Sequence, residues 1–183
     1  MAKRAVIFLA EGFEETEAVT TIDVLRRAGI EVTVVGVDTK TVKASRGVVV
    51  KADILLTELD NDRDAYILPG GMPGAANLAN NESIGKMLLQ AQKADKLIAA
   101  ICASPAIVLN PLSILKGKSA TCYPGMEKDF GPDIHYTTEA VVVDGSIITS
   151  RGPATAMRFA LAIVEKLVGK DTATKVGQGL LMI

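Results

Sequence analysis

Leu97-Ile98-Ala99-Ala100-Ile101-Cys102-Ala103-Ser104-Pro105-Ala106 decides the fold. Its first five residues are apolar without alternation, as in a strand buried on both faces of a parallel sheet. A helix starts at once behind Cys102, with Pro105 in its first turn, where a missing N–H costs nothing. A strand that runs straight into a helix puts Cys102 on a nucleophile elbow, a strained turn that pushes one side chain outward. Such a turn tolerates only small neighbours, and Ala100, Ala103 and Ser104 are small. The adjoining helix N-terminus favours thiolate over thiol. A free cysteine is also commonly a buried, inert hydrophobe, and spacing alone leaves both readings open.

Outward from this stretch, strands and helices alternate. Residues 4–10 and 64–68 read as further buried strands, and 31–37 as a Val-rich one. Residues 14–28 carry Ala18, Ile22 and Leu25 at helical spacing and stop before Gly29; residues 81–93 do the same with Ile84, Leu88 and Ala91. Residues 41–50 form two short strands around Ser45-Arg46-Gly47. Beyond residue 116 the spacing predicts strands over 119–122, 136–143 and 146–150, the last two joined by a turn at Asp144-Gly145. Pro153 opens a last helix with a stripe of Ala156, Phe159, Ala160, Ile163 and Leu167, ended by Gly169. The expected architecture is a doubly wound α/β sheet with an appended antiparallel hairpin.

At about 150 residues per domain, 183 residues make one domain, residues 1–183. With 49% hydrophobic residues, 22% charged, 4% aromatic and no Trp, disordered and collagen-like classes are excluded. The net charge of −1 shows no basic stripe, which argues against nucleic-acid binding. Lys3-Arg4 precedes only six apolar residues before Glu11, too few for a signal segment or a membrane span. Two cysteines without a CxxC, and one His, leave a structural zinc short of ligands. The expectation is a soluble cytoplasmic protein with free thiols and no metal.

In such a fold the chemistry belongs beyond the carboxyl ends of the strands. Three further features gather there. Glu14-Glu15-Thr16-Glu17 opens the first helix. Glu14 and Glu15 read as ordinary capping acids, whereas Glu17, one turn in beside Ala18, reaches toward the sheet edge. Desolvated there, its pKa rises and it can exchange a proton near neutral pH; paired with Cys102, it predicts a raised carboxyl and a depressed thiol. Pro69-Gly70-Gly71 follows a strand and reads either as a nest of N–H donors for an oxyanion or as a tight turn. His135, in a polar loop, reads as a surface residue or a base. Cys122, expected mid-strand with no helix beside it, reads as inert.

Taken together, Gly12-Phe13-Glu14-Glu15-Thr16-Glu17, Leu68-Pro69-Gly70-Gly71, Ala99-Ala100-Ile101-Cys102-Ala103-Ser104-Pro105 and Thr149-Ser150-Arg151-Gly152-Pro153 resemble the ThiJ/PfpI superfamily in order and spacing. The resemblance is to the branch of the parkinsonism-associated deglycase and its bacterial relatives, and it runs from residue 4 to about 176. It implies a flavodoxin-like fold and a homodimer with the first helix at its interface. It implies a reactive Cys102, an acidic partner Glu17, donors at Gly70, Gly71 and Ala103, and a histidine at His135. Asp23, Arg27 and Arg46 match residues at the pocket mouth near that interface. The implied substrates are glyoxal, methylglyoxal and their early adducts with amines, handled without metal or cofactor. A non-enzymatic redox sensor or chaperone acting through Cys102 oxidation is the alternative. Ala103 stands where the protease-like branch carries His, so peptidase chemistry lacks its Cys–His pair.

Overall fold

The computed structural model describes residues 2–60 and 62–182. Its centre is one seven-stranded sheet in the order β10-β11-β7-β6-β1-β2-β5. The strands are β1 (Arg4–Leu9), β2 (Glu31–Gly36), β5 (Ile54–Leu55), β6 (Ala65–Leu68), β7 (Leu97–Ile101), β10 (Val141–Asp144) and β11 (Ile147–Ser150). All pairs are parallel except β10 with β11, the appended hairpin. The five longer parallel strands follow the flavodoxin order, with the topological switch between β1 and β6.

The continuous apolar strands have the expected cause: both faces are covered. Ala5, Ile7 and Leu9 of β1 pack into one core with α1 (Glu15–Arg27), α4 (Ala156–Val168) and α5 (Lys170–Gly179). Val6 and Phe8 pack into the other core with α3 (Glu82–Lys93) and the chain around Val108 to Leu115. Asn81 caps α3 by accepting from the Ser83 and Ile84 amides.

The structure differs from expectation at several places. The segment expected as one strand over 136–143 is broken. β9 (His135–Tyr136) pairs with β8 (Ser119–Ala120), then the chain leaves the ladder before β10. Cys122 lies past the end of β8, not within a strand. The helix behind Cys102 is a wide π-type turn, closed by Asn110 N–H to the Pro105 carbonyl at 3.0 Å. α2 (Gly74–Ala79), α5 and β5 were not expected. α2 is short, and α5 carries Gly and Thr in place of helix formers. α5 is held by burying Ala173 and Val176 against α4. The small hairpin of β3 (Thr41–Lys43) and β4 (Val49–Lys51) matches its expectation.

Three loops meet at the carboxyl edge with no room for side chains. An added Cβ at Gly70 would lie 2.5 Å from the Cys102 Cβ and 2.9 Å from the Ile101 carbonyl oxygen. Gly70→Ala should therefore lower stability by about 1–3 kcal/mol, as overpacking does. Gly131→Ala, where nothing lies within 4 Å, should stay within about 0.5 kcal/mol of wild type. Denaturant midpoints of the two variants check this.

Candidate active site

The elbow exists. Cys102 has φ +65°, a left-handed conformation costly for a residue with a Cβ, and it is only 8% exposed. The strain is held by ties on every side. The Cys102 N–H donates to the Ser150 carbonyl (2.9 Å), its carbonyl accepts from the Tyr123 N–H (2.8 Å), and Ser104 Oγ donates to the Pro69 carbonyl (2.6 Å).

Glu17 comes from the other side of the switch point. Glu14 is the N-cap of α1, its carboxylate accepting from the Glu17 N–H at 2.7 Å. One turn in, Glu17 is fully buried, and its Oε2 accepts the Gly70 N–H at 2.7 Å. The Gly70 carbonyl in turn accepts the Glu14 N–H at 2.9 Å, so one residue of the β6 loop is stitched twice to the helix start. Glu17 Oε1 is buried and has no hydrogen bond of ordinary geometry. The group coupled to this carboxyl is the Cys102 thiol.

Burial is the main cause that lifts the Glu17 carboxyl to about 7, against the Gly70 amide and the Cys102 side chain, which pull it down. At Cys102, burial and then the charge of Glu17 push the thiol up to about 12, while the Gly71 and Ala103 amides oppose them. The expected depressed thiol is thus reversed while Glu17 is ionised. The physical reason is that two adjacent buried acids do not both ionise; between these limits the pair holds one proton. When that proton sits on Glu17, its repulsion is gone and the two amides face the sulfur. Cys122 is also pushed up to about 12, chiefly by burial, with no such amide pair.

The donor set is corrected accordingly. Gly70 spends its N–H on Glu17, so Gly71 and Ala103 are the donors at the sulfur. Gly71 has φ +85°, and a Cβ there would lie 2.5 Å from the Glu14 nitrogen, so only glycine presents this amide.

Over the sulfur lies a cavity of about 490 Å³. Of the expected residues, Cys102, Gly71, Ala103 and Arg46 line it. The β3–β4 tip that carries Arg46 is fixed by Glu15, whose carboxylate accepts from Ser45 Oγ (3.1 Å) and the Arg46 N–H (3.0 Å). Asp23 and Arg27 do not line it; they form a half-exposed ion pair with each other at 2.8 Å on α1. His135 is exposed on β9, outside the cavity. The chain behind the elbow brings Tyr123 to the wall instead, through the hydrogen bond its backbone N–H donates to the Cys102 carbonyl. Tyr123, Met72 and Met126 went unmarked in the sequence; only the Tyr123-Pro124-Gly125 turn signals a loop there. Among the described residues no cluster of three His, Cys, Asp or Glu can hold a metal ion, and no helix is long and apolar enough to cross a membrane.

Residues 3–166 match the DJ-1/PfpI family model. The chain is 43% identical over 185 residues to Drosophila melanogaster protein dj-1beta, covering 100% of this chain and 98% of the relative. It is 38% identical over 172 residues to the Caenorhabditis elegans glutathione-independent glyoxalase DJR-1.2, covering 92% and 91%. The structure of oxidised Toxoplasma gondii DJ-1 superposes with a TM-score of 0.95 at 43% identity over 98% of both chains.

A carboxyl raised from 4.5 to about 7 by folding makes the folded state bind more protons across that window. Stability relative to Glu17→Gln should fall as pH rises from about 4.5 to 7, by on the order of 3 kcal/mol, and then level off. Urea unfolding of both proteins across this range reads the difference; a flat difference contradicts the raised carboxyl.

Proposed function

The chain belongs to the DJ-1/PfpI family, and on that premise we propose that it converts glyoxal and methylglyoxal to glycolate and lactate through Cys102, without glutathione, metal or nicotinamide. The observation that carries this is the buried Glu17 carboxyl, held by the Gly70 amide beside Cys102 on its left-handed elbow and roofed by a cavity large enough for a small dicarbonyl and its early amine adducts. The glyoxalase name of the C. elegans relative supports the same chemistry.

The steps balance without an outside oxidant. The Cys102 thiolate adds to the aldehyde carbon, and the shared proton goes to the new oxygen, giving a hemithioacetal. Glu17, then ionised, takes the proton from that carbon and returns it to the neighbouring carbonyl carbon through an enediol. The first carbon is oxidised to a thioester as the second is reduced to an alcohol. Water cleaves the thioester to the hydroxy acid and restores the thiol. Gly71 and Ala103 hold the sulfur before attack and then donate to the oxygen that forms beside it. His135 has no place in this sequence of steps.

A redox role has one observation in its favour: the Toxoplasma relative was solved in an oxidised form. Peroxide would convert the Cys102 thiolate to a sulfinate, held by the same amides and by protonated Glu17. We also infer a homodimer through α1. Val19 on that helix is 47% exposed, an apolar side chain that a monomer leaves wet, whereas Val24 is fully buried in the core.

Steady-state turnover of methylglyoxal by chelator-treated protein tests the enzyme reading. Cys102→Ser should abolish it, Cys122→Ser should leave it within about twofold, and Glu17→Gln should lower it by about 100-fold or more. Equal losses from the two cysteine variants, or no turnover by wild type, contradict the proposal.

A further inference from the structure

The parallel strands begin at an edge of the sheet that the chemistry above leaves unused. Lys3 stands just before β1, Asp64 before β6 and Lys96 before β7, while Gly145 and Ser146 turn the chain from β10 into β11. Lys166 joins them from the last turn of α4. These residues line one cavity of about 290 Å³. The length of β7, about 16 Å, separates it from the Cys102 elbow.

Three lysines thus meet at one concavity. The Cys102 cavity holds a single Lys or Arg, Arg46, and the cavity between Met72 and Asn77 holds only Lys43. Two carboxylates, Asp64 and Asp95, share the space with the three lysines. Asp64 is already committed: its Oδ1 lies 3.4 Å from Lys3 Nζ and 3.9 Å from Lys96 Nζ, and its Oδ2 accepts the Arg4 N–H at 2.9 Å. One oxygen therefore gathers two ammonium groups, each with donors to spare. Lys166 has no carboxylate partner among the described residues, so positive charge is left over. Neutral donors are uncommitted as well. The Gly145 and Ser146 amides and the Ser146 hydroxyl have no hydrogen-bond partner among the described residues. The Ser146 carbonyl accepts the Ile98 N–H at 2.9 Å, which fixes this turn against β7. Consecutive free amides in a turn suit an anion.

We propose that this cavity at the amino-terminal edge binds a diphosphate group, held by Lys3, Lys96 and Lys166 and by the Gly145–Ser146 turn. Lysine is a compact point charge that serves phosphate oxygens arriving from several directions, whereas a planar carboxylate favours the fork of an arginine. No described arginine lines this space. Three ammonium groups and two free amides offer more donors than a single phosphate uses. The volume sits at the lower limit for small-ligand sites, so a nucleoside carried on the diphosphate would extend past the rim. The site is independent of Cys102 and of the carbonyl chemistry.

The test follows backbone amide NMR shifts of the whole chain during titration with sodium pyrophosphate, inorganic phosphate and ADP at constant ionic strength. Wild type should show saturable shifts at Gly145 and Ser146, with pyrophosphate bound more tightly than phosphate. Lys166→Met should weaken pyrophosphate binding by about fivefold, the scale of one exposed ion pair. Lys166→Arg should keep most of the affinity, and Lys43→Met, at the other cavity, should change nothing. Equal affinities for pyrophosphate and ADP support a site that reads the diphosphate alone; tighter ADP supports one that also touches the nucleoside. Shifts without saturation, shifts centred on Gly71 and Ala103 instead, or an affinity unchanged in Lys166→Met overturn the proposal.

Discussion

One hydrogen bond organises the site: the Gly70 amide held by the Glu17 carboxyl at 2.7 Å in a place water does not reach. A buried carboxyl without a donor would stay protonated far above neutral pH. One donor moves it back to about 7, where gaining and losing a proton are nearly balanced. The sulfur beside it inherits that balance, because two adjacent buried charges exclude each other. Two such adjacent buried acids hold one proton between them over a wide pH range, and His135 lies outside this pair, exposed on β9.

The topology makes that bond possible. Glu17 enters after β1, Gly70 after β6 and Cys102 after β7, and the first two flank the switch point where the sheet reverses its winding. Loops converging this closely must omit side chains, which is why Gly70 and Gly71 stand where a Cβ would strike Cys102 and Glu14. Strain at Cys102 is then enforced from outside, by Ser150, Tyr123 and Pro69. Stability and chemistry share these contacts. A change that relaxes the elbow also removes the amides from the sulfur.

Much of this was legible in the residues. Unbroken apolar runs gave β1, β6 and β7, because strands covered on both faces have no alternation to hide. Cys102 and Glu17 were legible because each sits at a junction whose local geometry dictates its direction. The thiol's direction was not, since it depends on a carboxylate 85 positions away in sequence (102 − 17) and on the burial the two share. Tyr123 is not legible because its place is fixed by a hydrogen bond from its backbone N–H to the Cys102 carbonyl, a long-range tie that no periodicity records. His135 drew attention as the single histidine, but β9 turns it to solvent. The helix α5 rests on packing against α4, which overrides its poor propensity.

The shared proton is most directly read by the rate of Cys102 alkylation by iodoacetamide against pH, in wild type and Glu17→Gln. Wild type should show a first rise near pH 7 to a plateau, as the pair loses its first proton, and a second rise only at strongly alkaline pH. Glu17→Gln, which keeps an acceptor for Gly70 but cannot ionise, should show a single step at a different pH. Coincident profiles for the two proteins would contradict the shared proton and reduce Glu17 to a buried capping acid.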